Sequence, residues 1–285
     1  MTSVGELLDE LAVKLAGETV PPDRGGARDL IAAVLGRPRF WPTAHREMTL
    51  EPAPLRRARE AAAAIRGGTP FAYAVGTAAF RHLTLRVDAR VLIPRPETEI
   101  LVDLALGATG GRGTIADIGT GSGAIALALA AEGQFERIVA TDLSADALDV
   151  AQANLAAIPA EKRGSVEFRQ GDLTGPLAGM QLSALVSNPP YIATPERDEL
   201  PASVRDHEPA SALFGGLNGM DVIDRLVADA ADVVAPGGLL VIEIDSRRAD
   251  LARTRAETNG RWSDVQIRPD LTGRERFLVA RRSSR

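Results

Sequence analysis

Asn188-Pro189-Pro190-Tyr191 follows the apolar run Leu182 to Ser187 and carries the residue types needed to hold a flat amino group. Two consecutive prolines fix φ near about −65° and remove two backbone donors, so neighbouring carbonyls are left free to accept from a ligand. Asn188 adds a side-chain acceptor, and Tyr191 adds an aromatic face. An NH2 conjugated to a carbonyl or a heteroaromatic ring presents two donors in one plane. Two such acceptors can grip it while the ring covers it. A proline turn closing a buried strand would use the same letters, because Asn-Pro and Pro-Pro are common turn punctuation.

A second constellation lies upstream, in Asp117-Ile118-Gly119-Thr120-Gly121-Ser122-Gly123-Ala124. Alternate glycines let backbone approach a ligand closely, and the N-terminus of a following helix directs N–H groups at it. The next apolar run ends in Asp142, whose carboxylate can accept from both hydroxyls of a ribose. This spacing suits a nucleotide-like ligand. With Ala124 in the place of a third glycine, dinucleotide binding fits G-x-G-x-x-G/A. The leading acid, in the form D-x-G-x-G-x-G, tilts the choice to S-adenosylmethionine, with Asp117 facing the methionine amino group directly or through water. Gly119, Thr120, Gly121, Ser122, Gly123 and Asp142 would complete that cofactor site.

The two constellations fit one reaction. Methyl transfer needs in-line attack from ~3–3.5 Å, and positioning supplies much of the rate. An amide nitrogen is a poor nucleophile because its lone pair is delocalised. Acceptors on both N–H groups, from the Asn188 side chain and the Pro189 carbonyl, would push electron density onto that nitrogen. Once positively charged, the nitrogen releases a proton readily, so the reaction asks for no histidine or cysteine base.

The elements that must position these residues can be read from hydrophobic period. From residue 114 onward short apolar runs alternate with helical patterns, the signature of an α/β fold with a parallel sheet and crossover helices. Strands are expected near 114–118, 137–142, 165–169, 182–187, 239–244, 264–268 and 276–280. Helices are expected near 122–132, 144–157, 219–235 and 247–259, with Pro236-Gly237-Gly238 as a stop before the strand at 239. In a doubly wound sheet this order brings Asn188 and the glycine loop to one edge. Ahead of the sheet, Val4, Leu7, Leu8, Leu11 and Leu15 have helical spacing, opened by a Ser3/Glu6 capping box. Further helices are predicted through Ala27 to Leu35 and over about 53–66. Residues 1–75 therefore read as a small helical domain, 76–93 as a β-hairpin linker and 94–285 as the catalytic domain. Within the linker, Val91-Leu92-Ile93 forms a second apolar run, and Thr98 is placed to cap the helix that follows.

Composition narrows the function classes. With 45% hydrophobic and 25% charged residues among 285, the chain is of ordinary globular type. It has no cysteine and three scattered histidines, which argues against a disulfide, a thiolate nucleophile or a metal site. The absence of a long apolar run and of a signal-peptide pattern points to a cytoplasmic enzyme that does not enter a membrane. A net charge of −5 argues against stable nucleic-acid binding.

The chain resembles the bacterial release factor glutamine methyltransferases, class I S-adenosylmethionine-dependent enzymes. The likeness rests on Pro70-Phe71-Ala72-Tyr73 with Gly76, on Ile93-Pro94-Arg95-Pro96-Glu97-Thr98-Glu99, and on Asp117 to Gly123 with Asp142. Asn188 to Tyr191 and Glu208-Pro209, followed by Ala212-Leu213 and Gly215-Gly216, complete it. It implies a Rossmann-like sheet with an N-terminal helical domain that helps hold a peptide release factor. The methyl would go to the side-chain amide of the glutamine in the factor's Gly-Gly-Gln loop, with Asn188, Pro189, Pro190 and Tyr191 forming the catalytic and substrate-binding slot. The enzyme is expected to work as a monomer. Asp172, Leu173 and Asn188 would join the cofactor site. The chain has leucine at 173 where the family often shows an aromatic beside the adenine, and Asp245 where the family tends to have glycine. Asn-Pro-Pro-Tyr is shared with adenine methyltransferases, so the exocyclic amine of adenine in DNA or RNA is the alternative acceptor. A dinucleotide-dependent oxidoreductase would leave Asn188 to Tyr191 unexplained.

Overall fold

The computed structural model describes residues 2–16 and 21–284. The chain divides into two compact units, Met1–Thr77 with Pro201–His207, and Ala78–Leu200 with Glu208–Arg285.

The first unit is helical. It comprises α1 (Val4–Ala16), α2 (Arg24–Leu35), α3 (Trp41–Ala44), α4 (Pro52–Arg66) and α5 (Phe71–Val75). Leu7, Leu8 and Leu11 of α1, Leu30 and Ile31 of α2, and Ala58, Ala61 and Ala62 of α4 share one core, as their helical spacing requires. The capping box is formed: Glu6 N–H donates to Ser3 Oγ at 3.1 Å, and Ser3 N–H donates to Glu6 Oε2 at 2.8 Å. The short helices α3 and α5 have too few residues for a periodic signal.

In the second unit a hairpin of β1 (Thr77–Phe80) and β2 (Leu83–Arg86) turns at Arg81-His82. Phe80 ends β1, and Leu83 and Leu85 lie on β2 across that turn. Val91-Leu92-Ile93 is not a strand and runs as irregular chain toward α6 (Glu99–Thr109). The Asn154 side chain ties the hairpin down. It accepts from Arg86 N–H at 2.7 Å and donates to Arg86 O at 3.0 Å and to Ser122 O at 2.9 Å.

The sheet alternates with helices: β3 (Thr114–Ile118), α7 (Ala124–Glu132), β4 (Arg137–Asp142), α8 (Ala145–Ala157), β5 (Val166–Gln170) and β6 (Leu182–Ser187). After α9 (Ala202–Arg205), which belongs to the first unit, the second continues with α10 (Ala210–Leu213), α11 (Asp221–Val233), β7 (Val234–Glu243), α12 (Ala249–Thr258), β8 (Trp262–Pro269) and β9 (Glu275–Arg282). The seven strands lie in the order β5-β4-β3-β6-β7-β9-β8. All neighbours are parallel up to β7, and β9 runs antiparallel to both β7 and β8. Strands buried on both faces read as near-continuous apolar runs, and β6, with Leu182, Ala184, Leu185 and Val186, supplies one. Leu182 and Leu185 face a cluster with Leu226 and Trp262, while Ala184 and Val186 face the opposite cluster with Leu101 and Leu127. Pro236-Gly237-Gly238 does not precede its strand. Helix α11 has already ended at Val233, and the three residues form a bulge inside β7, between the Leu182↔Val234 and Ala184↔Leu239 pairs.

Candidate active site

The carboxyl ends of β3, β4 and β6 meet at a cavity of ≈330 Å³, within the roughly 300–1,000 Å³ of small-molecule sites. Ile118 of β3 is in register with Ser187 of β6, so Gly119 and Asn188 are the next residues on adjacent strands. The order reverses here: the chain leaves β3 toward β4 on one side and returns through β6 on the other. That is the switch point at which such sheets bind ligands.

Gly119, Thr120, Gly121 and Ser122 line the cavity. The loop turns with φ of +69°, +56° and +83° at Gly119, Gly121 and Gly123, a conformation that other residues rarely adopt. At Gly119 and Gly121 the space a Cβ would take is open, whereas Gly123 backs onto Leu127 and Ala151 and starts α7. Asp117 is fully buried and does not line the cavity. Its Oδ2 accepts from Thr120 Oγ1 at 2.7 Å and from Ala126 N–H at 3.1 Å, while Oδ1 has no partner. Asp117 therefore fastens the loop from behind through these two bonds. Burial pushes its carboxyl up to about 7, against the pull of the Thr120 and Ala126 bonds, and the Asp142 charge adds to the rise.

Asp142 does line the cavity. Its Oδ2 accepts from Gly121 N–H at 2.9 Å and Oδ1 from Ser144 N–H at 2.9 Å, which joins the loops after β3 and β4. Burial raises this carboxyl, and the backbone N–H groups of Ser144 and Gly121 oppose the rise. Each oxygen keeps a lone pair for a hydroxyl. Asp172 and Leu173 form the adjoining wall, where Arg225 donates to Asp172 Oδ2 at 2.5 Å. Leu173 has φ +46°, unusual for a bulky side chain, and is half-buried against the core around α11. An apolar side chain thus occupies the place of the expected aromatic. Buried carboxylates behind a glycine cradle, a carboxylate with free lone pairs and an apolar wall together fit a nucleoside carrying a charged tail.

Asn188 and Pro190, on either side of Pro189, line the same cavity. The Asn188 amide is held by a residue that sequence reasoning gave another task. Thr98 does not cap α6. Its hydroxyl accepts from Asn188 Nδ2 at 3.0 Å and donates to Glu243 Oε2 at 2.7 Å. Tyr191 Oη donates to Glu243 Oε1 at 3.2 Å. Burial raises both the Glu243 carboxyl and the Tyr191 hydroxyl. Glu243, at the end of β7, went unnoticed as a site residue because only its fold neighbours reveal a partner for its charge.

The end of α10 and the loop after it brace the motif from the other side. Ile192 N–H donates to Leu213 O at 3.0 Å, and Gly215 N–H to Ile192 O at 2.9 Å. A Cβ at Gly215 would sit 2.3 Å from the Pro190 carbonyl oxygen, so that position demands glycine. Glu208 is buried, with Oε1 accepting from Arg95 at 2.5 Å and Oε2 from Ile93 N–H at 3.2 Å. The two distant stretches named in the family resemblance thus meet beside the cavity, which Arg95 lines. Asp245 is also accounted for. It accepts from Arg247 N–H at 2.7 Å, capping the turn Ser246–Arg248, and it pairs with Arg247 and Arg248. Burial works to raise its carboxyl, but the Arg247 bonds hold it below the ordinary range. Among the described residues no cluster of His, Cys, Asp or Glu could hold a metal ion. No described helix is long and apolar enough to cross a membrane.

A family profile described as methyltransferase small domain matches residues 96–201. A release factor glutamine methyltransferase of Moorella thermoacetica is 41% identical over 97% of this chain and 98% of its own length. Relatives of the same name include one from Deinococcus radiodurans, 38% identical over 98% of both chains, and one from Mycolicibacterium smegmatis, 43% identical over 76% of each. Among solved structures, a methyltransferase from Pyrococcus furiosus superposes with a TM-score of 0.54 at 18% identity, covering 78% of this chain and 97% of that one. The catalytic domain of hMettl16, solved with an RNA hairpin, gives 0.56 at 14% identity and 82% of each chain. At those identities the likeness is one of fold.

Proposed function

The chain belongs to the release factor glutamine methyltransferase family, and from that premise we propose that it methylates the side-chain amide nitrogen of the Gly-Gly-Gln glutamine in peptide chain release factors. The methyl donor in this reading is S-adenosylmethionine, which when bound supplies a methyl group on a sulfonium centre. Gly119 to Gly123 would cradle its methionine portion, Asp142 would accept from the ribose hydroxyls, and Asp172 and Leu173 would flank the adenine. Asp117 contributes by holding the loop in shape.

The observation that carries the proposal is the shared cavity of Asn188 and Gly119, one residue past paired positions on β3 and β6. It supports reading Asn188 as the group that grips the amide beside a cofactor cradle. Asn188 Nδ2 is engaged by Thr98, so its Oδ1 is the end available to a substrate N–H. With the Pro189 carbonyl accepting from the second N–H, both amide protons would be held in plane and the lone pair turned to the methyl donor. The new C–N bond forms as the S–CH3 bond breaks, and one of the two held protons then passes from the charged nitrogen to water. Residues 1–75 contribute to holding the factor, and the reading takes the enzyme as a cytoplasmic monomer.

Incubation with S-adenosylmethionine carrying a labelled methyl tests this. Label is expected on a release factor, and not on that factor with its loop glutamine changed, nor on DNA or RNA. Label on nucleic acid would overturn the proposal and favour adenine as acceptor.

A further inference from the structure

Behind the Asn188 amide lies a chain of hydrogen bonds made by side chains outside the Asn-Pro-Pro-Tyr motif. Thr98 and Glu243 are both buried. The Thr98 hydroxyl stands between the Glu243 carboxylate, 2.7 Å from Oε2, and the Asn188 amide, 3.0 Å from Nδ2. A hydroxyl has one proton to give. Both Glu243 oxygens face hydroxyls, and with the carboxyl ionised they can only accept, so the Thr98 proton is drawn to Glu243 and the Thr98 oxygen is left as an acceptor toward Asn188. Tyr191 Oη fills the other carboxylate oxygen at 3.2 Å, which keeps both ends of Glu243 in the accepting role.

That polarity has a consequence for the amide. An asparagine amide is nearly symmetric in shape, and its two orientations differ only in what each end meets. Turned over, Asn188 would bring Oδ1 against an oxygen whose proton already belongs to Glu243. Either the two oxygens would face each other with no proton between them, or Glu243 would lose the Thr98 bond inside a buried site, and both are costly. The chain thus selects the orientation that sends Oδ1 away from Thr98. Three elements bring it about: the start of α6 carries Thr98, the end of β6 carries Asn188, and the end of β7 carries Glu243. Ser187 pairs with Ile242, so Asn188 and Glu243 are again the next residues on adjacent strands.

We propose that Thr98 and Glu243 are positioning residues that fix which end of the Asn188 amide faces the reacting nitrogen. This rests on the reading that Asn188 Oδ1 accepts from the substrate amide. Neither residue needs to touch the substrate. Their effect is to keep the acceptor facing the substrate, where an amide without that partner would turn its NH2 there and oppose the substrate's own donors.

The test compares Thr98→Val, which keeps the shape and removes the acceptor, with Thr98→Ser, which keeps the hydroxyl. Methyl transfer to a release factor is followed at saturating S-adenosylmethionine, with cofactor Kd measured separately. Thr98→Val should lower kcat roughly 10- to 100-fold, with cofactor Kd within about threefold of wild type, and Thr98→Ser should recover most of the rate. The decisive comparison is the double variant with Asn188→Ala, which should be no slower than Asn188→Ala alone, because Thr98 acts only through that amide. Additive losses, failure of Thr98→Ser to recover the rate, or a Thr98→Val defect confined to cofactor Kd would overturn the inference. So would a Thr98→Val rate within threefold of wild type. Should Thr98→Val not fold, Glu243→Gln carries the same comparison, since its amide can offer an N–H to Thr98 and reverse the chain. If Asn188→Ala itself keeps full kcat, the failure lies in the reading of Asn188 as substrate acceptor. If Asn188→Ala is slow and Thr98→Val is not, only the positioning inference fails.

Discussion

Replacing Asp117 by asparagine should change how stability depends on pH. In the folded protein this carboxyl is fully buried, one oxygen is without a partner, and burial has raised it from an ordinary 3.8 to about 7. Between those two values the folded state keeps a proton that the unfolded chain has lost. Stability contributed by this group is therefore complete below about pH 4, falls as pH rises toward 7, and is level above it. The gap is about three pKa units, so the fall amounts to about 4 kcal/mol at most. Asparagine does not titrate. Its Oδ1 can still take the Thr120 hydroxyl and Ala126 N–H, but its NH2 occupies the place where no partner waits, at a cost of roughly 1–3 kcal/mol at every pH. Relative to wild type the variant should gain about 2 kcal/mol between pH 5.5 and 8.5, ending equal or more stable. Urea unfolding of both proteins without cofactor at four pH values in that window measures the difference directly, because all other titrating groups are shared. Parallel curves, with a constant offset from pH 5.5 to 8.5, would refute the reasoning and mean that Asp117 is ionised throughout.

Other substitutions separate the parts of the site. Asp142→Ala should weaken S-adenosylmethionine binding roughly 100-fold, the loss of two bonds to a charged acceptor, and calorimetric titration with the cofactor or its demethylated product reads that loss. Asn188→Ala should lower single-turnover rate by roughly 100- to 1,000-fold while cofactor Kd stays within a few fold; an equal loss of cofactor affinity would show that Asn188 chiefly builds the cofactor pocket. Glu208→Gln removes the charge partner of Arg95 inside the fold and should cost about 2 kcal/mol, a drop in Tm of several degrees, seen by calorimetric melting.

Much of the fold was legible because the sheet is covered on both faces. Runs such as those within Thr114–Ile118 and Leu182–Ser187 are then mostly apolar, and the expected ranges 114–118 and 182–187 match the strands. Val91 to Ile93 misled because a short apolar run looks the same in a strand and in irregular chain packed on a core. The glycine loop and Asp142 were also readable, since their spacing is local and each residue has a conformational or hydrogen-bonding reason to be there. The function of Thr98 was not. As a threonine before a helix it reads as a cap, and its true partners, Asn188 and Glu243, come from strands that only the sheet order brings beside it. Asp117 was read from its spacing to the glycines, but spacing does not tell the side chain that lines a cavity from the one that fastens the loop behind it. Asp245 broke the family pattern without any visible reason in the sequence, and the structure supplies one in the turn it caps and the two arginines it pairs.

The central claim is that the methyl is placed on one side-chain nitrogen. Mass spectrometry of a release factor, digested after reaction with this enzyme and S-adenosylmethionine, locates the modification. The account predicts a single added methyl on the amide nitrogen of the Gly-Gly-Gln glutamine and no methylation of the factor elsewhere. A methyl on another side chain, or an unmodified Gly-Gly-Gln peptide from a reaction that consumed cofactor, would contradict it.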